Sequence, residues 1–204
     1  MKTSHAILAA ALTIAASAGA AQAQSLNTEQ RNNANVRAQL NATIKDIGED
    51  VALTSAAIGN SFSADGESLG SLNNYQNFWG DVRSDLSATV ADVAGDVSVT
   101  SAAIANSASV EGDWIGHINN TQYAAYDPTA TLNATIQDVE GDVATTSAAL
   151  SNSATFDTDF GTLASKQVNQ AGVYAGVSTT IRDVAGSVNV TAAAIGNSLT
   201  VTGF

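Results

Sequence analysis

The stretch Leu40-Asn-Ala-Thr-Ile-Lys-Asp-Ile-Gly-Glu-Asp-Val-Ala-Leu-Thr-Ser-Ala-Ala-Ile-Gly-Asn-Ser61 decides the fold, because the chain contains it in four related copies. It returns as residues 86–107, 132–153 and 177–198, so the copies start 46, 46 and 45 residues apart. A repeat of this length indicates an array of stacked units. It argues against an enzyme, because a catalytic site needs one asymmetric cluster of groups. We therefore predict neither catalysis nor a cofactor.

More variable stretches separate the copies and keep the same frame. Each stretch begins with an apolar residue that is followed four positions later by glutamine. The repeat units therefore run over about residues 26–71, 72–117, 118–162 and 163–204. Nearly all the aromatic residues between residues 26 and 204 lie in the variable stretches. We expect any specific contact surface to lie there.

The first residues have the pattern of an export signal. Lys2 precedes an apolar run over residues 6–16, and Ala21-Gln22-Ala23 fits a small-x-small cleavage site. The run is too short to span a bilayer as a helix. We predict a signal peptide over residues 1–23 and a single repeat domain over residues 24–204. With no cysteine, the exported chain is expected to be stabilised by packing and backbone hydrogen bonds alone.

The charge balance argues against nucleic acid as a partner. Seven Lys and Arg stand against 19 Asp and Glu, a net charge of −12. A chain without a basic patch is not expected to bind nucleic acid. The negative charge favours solubility and delays self-association until salt screens it.

Two periodicities compete within the repeated stretch. In the second copy the apolar positions from Leu86 to Ile104 follow a 4-3-4-3-4 spacing, which is typical of a helical array. Strands are favoured by the composition, because most of these positions are β-branched and each copy holds an interior glycine. On this interpretation Ala94-Gly95-Asp96 and Ala105-Asn106-Ser107 are turns between strands. The helical array remains the alternative.

The predicted fold is therefore all-β, a β-solenoid (β-helix) of four 46-residue repeats. Each repeat is expected to form two turns of about 23 residues. Solenoid turns lie about 4.8 Å apart, so equivalent side chains stack in columns. Identical amides can then hydrogen-bond along the axis. The candidate ladders are Gln30, Gln76, Gln122 and Gln167, and Asn60, Asn106, Asn152 and Asn197.

Aspartates also recur in each copy. Asp46, Asp92, Asp138 and Asp183 occupy one position, and an acid follows four residues later in three of the copies. Calcium takes several oxygen ligands of this kind, but the spacing matches no known calcium loop. Solvated turn residues are the favoured interpretation. We predict no metal site, and calcium binding by these aspartates stays open.

Three segments resemble those of known secreted proteins: Leu72-Asn-Asn-Tyr-Gln76, Ile118-Asn-Asn-Thr-Gln122 and Ala194-Ile-Gly-Asn-Ser198. With the export signal and the lack of cysteine, they resemble the curlin-like family of secreted bacterial amyloid subunits. The repeated stretch lacks the second glutamine of the full curlin pattern. A looser likeness is to holdfast-anchor and other β-rich surface proteins of stalked bacteria. Both likenesses imply extracellular fibres, adhesion or matrix.

The predicted function is that of a secreted structural subunit, extracellular or on the cell surface of a Gram-negative bacterium. It is expected to self-assemble end to end into a functional amyloid fibre for adhesion or biofilm matrix. The main partner is then the chain itself, with a secretion channel or nucleator protein as a further partner. One alternative is a β-helical surface adhesin that does not polymerise. Another is a small outer-membrane β-barrel, suggested by the terminal Phe204.

Overall fold

Strands make up most of residues 25–203, the part of the chain that the computed structural model describes. The predicted signal peptide, residues 1–23, lies outside the described residues. In chain order the strands are β1 (Ser25–Asn32), β2 (Val36–Ile47), β3 (Val51–Phe78), β4 (Val82–Val93), β5 (Val97–Ala124), β6 (Pro128–Val139), β7 (Val143–Asn169), β8 (Tyr174–Val184) and β9 (Val188–Thr202).

The strands form two sheets in which every pair is parallel. One sheet has the order β1-β3-β5-β7-β9 and the other β2-β4-β6-β8. The register stacks each copy of the repeat on the next, so Leu40 lies beside Leu86, Leu86 beside Leu132, and Leu132 beside Val177. The chain is thus an all-β solenoid, as the sequence predicts.

The length of one solenoid turn differs from the prediction. Strand partners lie 46 or 45 residues apart, as in Ser25 with Ser71 and His117 with Thr162, so one repeat forms one turn rather than two turns of about 23 residues. The physical reason is that the two halves of a repeat carry different side chains. Each half stacks only on its own copies, which keeps Asn on Asn and apolar residues on apolar residues.

The turn predicted at residues 94–96 is confirmed, because it separates β4 from β5. The turn predicted at residues 105–107 is wrong, because β5 continues through it. Ala105 drops out of the pairing with β7, and Ala105 and Asn106 are both buried, so the chain kinks there and exchanges its inner and outer faces. The helical alternative is also wrong, since residues 25–203 contain no helix. Within the same residues, nothing forms a helix able to span a membrane.

Three apolar columns run along the inside of the coil. The first joins β2, β4, β6 and β8 to the starts of the long strands, and includes Leu86, Val99 and Ile136. The second is built around Phe78 and stacked alanines, and the third around Phe156 and Ile118. Because apolar residues recur at most levels of these columns, burial of apolar surface repeats from turn to turn.

Polar groups inside the coil are mostly paired. The Ser84 hydroxyl donates to the Ser55 carbonyl oxygen at 2.8 Å, and the Ser101 hydroxyl lies 2.9 Å from Ser84 Oγ, which ties the two sheets together. Thr145 is an exception. Its buried Oγ1 has no hydrogen-bond partner, and it occupies the column of Val99 and Val190.

Candidate functional site

The four predicted glutamines lie in one column along the solenoid. Gln76 donates from Nε2 to Gln30 Oε1, Gln122 to Gln76, and Gln167 to Gln122, each at 2.8 Å. Gln76 and Gln122 are fully buried. Every donor belongs to the later turn and every acceptor to the earlier one, so the column has a direction.

Each glutamine also ties its variable stretch to the repeated stretch of the same turn. The second amide N–H donates to a backbone carbonyl oxygen across the coil, from Gln76 to Ser107 and from Gln122 to Ser153, both at 2.8 Å. Gln167 makes the same bond to Ser198. A buried amide that satisfies both of its N–H groups fixes the distance between two walls of the coil.

The four predicted asparagines form a second column of the opposite direction. Asn60 donates to Asn106 Oδ1, Asn106 to Asn152, and Asn152 to Asn197, each at 2.8 Å. Here the donor belongs to the earlier turn. The second N–H of Asn106 donates to the Tyr123 carbonyl oxygen at 2.9 Å. The two columns therefore run antiparallel to one another inside one coil.

A column of acids lines the turn that precedes each long strand. The Asp50 carboxylate accepts the backbone N–H of Asp96 at 2.9 Å, Asp96 accepts that of Asp142 at 2.8 Å, and Asp142 accepts that of Ser187 at 2.7 Å. Backbone and side-chain hydrogen bonds from Ser187 lower the pKa of Asp142 below its ordinary value. These acids act as stacking links between turns.

The other repeated aspartates have a conformational role. Asp46, Asp92, Asp138 and Asp183 all adopt the left-handed region, with φ between 53° and 57°. Aspartate tolerates this region better than most residues with a side chain, so its recurrence is explained by the backbone. Among the described residues, no three acidic or histidine side chains gather to hold a metal ion.

The last turn, residues 162–203, carries exposed side chains at positions that are buried one turn earlier. Val188 is 49 % exposed, whereas its stacked partner Val143 is 1 % exposed. Val190 and Leu199 are exposed in the same way above the buried Thr145 and Ala154, whereas Ile195 belongs to an outer column whose other members are only partly buried. Among the described residues no strand pairs with the outer edge of β8 or β9. The coil thus ends on an apolar edge with unpaired backbone groups.

Exposed aromatic residues gather near the bend between β5 and β6 and its equivalent one turn earlier. The rings of Trp79 and Tyr123 pack with their centroids 5.6 Å apart, and the Tyr123 hydroxyl donates to Gln170 Oε1. Trp79 is 47 % exposed and Tyr126, in the bend itself, 48 %. We call Trp79, Tyr123 and Tyr126 the aromatic corner.

A charged cluster lies on the outside of β2, β4 and β6. Asp85 Oδ2 lies 2.7 Å from Arg83 Nε and 3.0 Å from Arg37 Nη2, and Thr131 donates to Oδ1 at 2.6 Å. Desolvation raises the pKa of Asp85, but the hydrogen bonds from Arg83 and Thr131 more than offset it, so the pKa lies below its ordinary value. The cluster links three turns on the surface, where such pairs contribute little energy.

A family model described as Holdfast attachment protein D matches residues 68–204. The chain belongs to this family. The match covers all but the first of the stacked turns and gives the protein an adhesion-related role at the bacterial cell surface or outside the cell. It confirms the likeness to holdfast-anchor proteins and gives no support to the curlin-like resemblance. No curated protein and no solved structure matches the chain.

Three features of the site were missed by reasoning from the sequence. The acids at Asp50, Asp96 and Asp142 accept backbone N–H groups from the next turn. The two amide columns point in opposite directions, which side-chain type alone does not reveal. The chain kinks at Ala105 within β5, where the sequence predicts a turn. The lack of any similarity between the two halves of a repeat was the available signal for the 46-residue turn.

Proposed function

We propose that the chain is a secreted structural subunit that polymerises end to end into an extracellular fibre, serving holdfast attachment or a biofilm matrix. Its main partner is another copy of itself, and a secretion channel or nucleator is a further partner. Such a fibre would account for the surface role of the family. Each molecule is a stack of similar turns, so a second molecule can continue the stack of the first.

The observation that carries the proposal is the open last turn. Val188, Val190 and Leu199 are exposed to solvent at positions that the inner turns bury, beside a strand edge with no described partner. An apolar edge of this kind favours pairing with a further strand. A contact between the two different ends of a molecule is heterologous and builds an open filament.

The direct test is electron microscopy and sedimentation of purified residues 24–204 over a range of salt concentrations. We expect fibres one coil wide that pellet on ultracentrifugation and form faster as salt screens the negative charge. A folded monomer that forms no fibres at any salt concentration would refute the proposal.

A matched pair of variants locates the contact. Val190→Asp with Leu199→Asp places two charges on the open apolar edge and should leave a folded, monomeric protein. Trp114→Asp changes an equally exposed apolar residue on the side of the coil and should still allow fibres. Equal effects of the two changes would argue against end-to-end contact.

The aromatic corner favours a second candidate, an adhesin that binds a surface ligand and does not polymerise. Trp79 and Tyr126 are exposed on the side of the coil, away from its ends. The packed rings of Trp79 and Tyr123 offer a rigid apolar contact beside them. This candidate predicts a monomer by light scattering and loss of surface adsorption in Trp79→Ala with Tyr126→Ala. The fibre proposal predicts that the same variant still polymerises.

A further inference from the structure

We infer that the two ends of the coil fit each other in a single register, in which Asn60 of an added copy lies on Asn197 and its Gln30 lies on Gln167. This inference rests on the proposed function and names the seating of its partner, a second copy of the chain. It follows from extending the observed register by one step, so that the turn of residues 25–70 follows the turn of residues 162–203.

The apolar residues of the two ends match in this register. Val188, Val190 and Ile195 have stacked partners in every earlier turn, and the first turn supplies them as Val51, Leu53 and Ile58. The contact therefore sets valine on valine, leucine on valine and isoleucine on isoleucine. Leu199 meets Phe62 by the same rule. Each of these four exposed apolar side chains of the last turn therefore lies on an apolar one.

The amide columns continue across the contact with the correct donors and acceptors. In the glutamine column the later turn donates, so Gln30 of the added copy donates to Gln167 Oε1. In the asparagine column the earlier turn donates, so Asn197 donates to Asn60 of the added copy. The acid column ends on Ser187. Asp50 of the added copy therefore lies on a serine hydroxyl, and no further pair of carboxylates is created.

Other arrangements break these pairings. A slip of one residue moves apolar side chains from the inside of the coil to the outside. A slip of two residues keeps the faces but sets Gln30 of the added copy beside Ser165 or Asn169, and Leu26 beside Ser165 or Gly161. A contact between two last turns presents the Gln167 acceptor of each copy to the other. The two ends thus specify one seating.

Two like-charge pairs on the surface oppose the contact. Lys45 of the added copy lies over Arg182, and both residues are exposed, with Asp46 over Asp183 at the next position. Like charges directly opposed on neighbouring strands are destabilising. Screening by salt is therefore expected to strengthen the contact at this corner as well as through the net charge.

Engineered cysteines test the register, because the natural chain has none. Thr43 and Thr180 share one exposed outer column. Within a chain they lie three turns apart, about 14 Å, whereas across the proposed contact they are about 4.8 Å apart. A disulfide needs a Cα separation of roughly 4.4–6.8 Å. Fibres of Thr43→Cys/Thr180→Cys, grown under reducing conditions and then oxidised, should give a ladder of covalent oligomers on denaturing gels.

The control is Asn41→Cys/Thr180→Cys, in which the cysteines are two residues out of register and about 8 Å apart across the proposed contact. It should form fibres but few oligomers. Cross-linking of the control but not of the test pair would indicate a register slipped by two residues. Cross-linking of the single variant Thr180→Cys would indicate a contact between two last turns. Either result would overturn the proposed register. Fibres in which no pair cross-links would overturn the register and leave the proposed function standing. Failure of the reduced proteins and the natural chain to form fibres would overturn both.

Discussion

Gln122 donates one amide N–H to Gln76 Oε1 at 2.8 Å and the other to the Ser153 carbonyl oxygen at the same distance. The first bond joins two turns, and the second joins two walls of one turn. The side chain is fully buried and also accepts a bond from Gln167. Gln122 therefore holds successive turns together and also holds two walls of its own turn together.

Replacing Gln122 with leucine should destabilise the protein strongly. The change leaves Gln76 Oε1, the Ser153 carbonyl oxygen and one N–H of Gln167 buried without partners, at a cost of about 3 kcal/mol in the free energy of unfolding. Denaturant unfolding measures it. Asn119→Ala, on the exposed face of the same strand, is the control and should change stability by less than about 0.5 kcal/mol. Equal effects of the two changes would contradict the role assigned to the column.

Gly95 should not tolerate alanine, whereas Gly48 should. A Cβ at Gly95 would lie 2.4 Å from Asp50 Oδ1 and 2.7 Å from the Asp50 backbone nitrogen, because two turns approach closely there. A Cβ at Gly48 would meet nothing within 4 Å. We expect Gly95→Ala to lower stability by about 1–3 kcal/mol and Gly48→Ala to be close to neutral in thermal unfolding. A neutral Gly95→Ala would show that the turns are farther apart at this corner.

Thr145→Val should stabilise the protein. The Thr145 hydroxyl is buried without a partner between Val99 and Val190, and valine has nearly the same shape without the polar group. The gain should be about 1–2 kcal/mol, the desolvation cost of an unpaired hydroxyl. Urea unfolding of the two proteins provides the measurement. Loss of stability on this change would mean that the hydroxyl is paired in solution.

Acid should weaken the attachment of the last turn through Asp142. Hydrogen bonds from Ser187 lower the pKa of Asp142 in the folded state, so its contribution is complete above the unfolded pKa. The contribution is lost as the pH falls through the lower folded pKa. Asp142→Asn keeps an oxygen acceptor but does not titrate. The stability of the natural chain relative to this variant should therefore decrease between about pH 5 and pH 2. A pH-independent difference would contradict the shift.

Much of the architecture follows from the sequence because the repeat itself imposes it. The 46-residue period, the β-branched positions of the repeated stretch and the turn at Gly95 predict stacked parallel strands. The recurrence of Gln76 and Gln122 at one position predicts that their amides meet. Each of these inferences needs only that equivalent residues of successive units lie at the same place.

The cross-section of the coil does not follow from the repeat alone. A 23-residue and a 46-residue turn both place strands on strands, and only the mismatch between the side chains of the two halves favours the longer turn, in which Phe78 and Phe156 pack inside one large coil. The left-handed conformation of Asp92 and the bond from Asp142 to the Asp96 carboxylate depend on backbone geometry at the corner. Geometry that is set by contacts between turns is hard to predict from the local sequence.

The subunit spacing along the fibre tests the central claim most directly. If each chain contributes four turns of the coil and continues the register of its neighbour, helical reconstruction by electron cryomicroscopy should give an axial rise of about 19 Å per chain, divided into layers of about 4.8 Å. A rise of about 38 Å would instead indicate turns of half the length. Fibres without an ordered subunit rise, or with strands running along the fibre axis, would contradict the account.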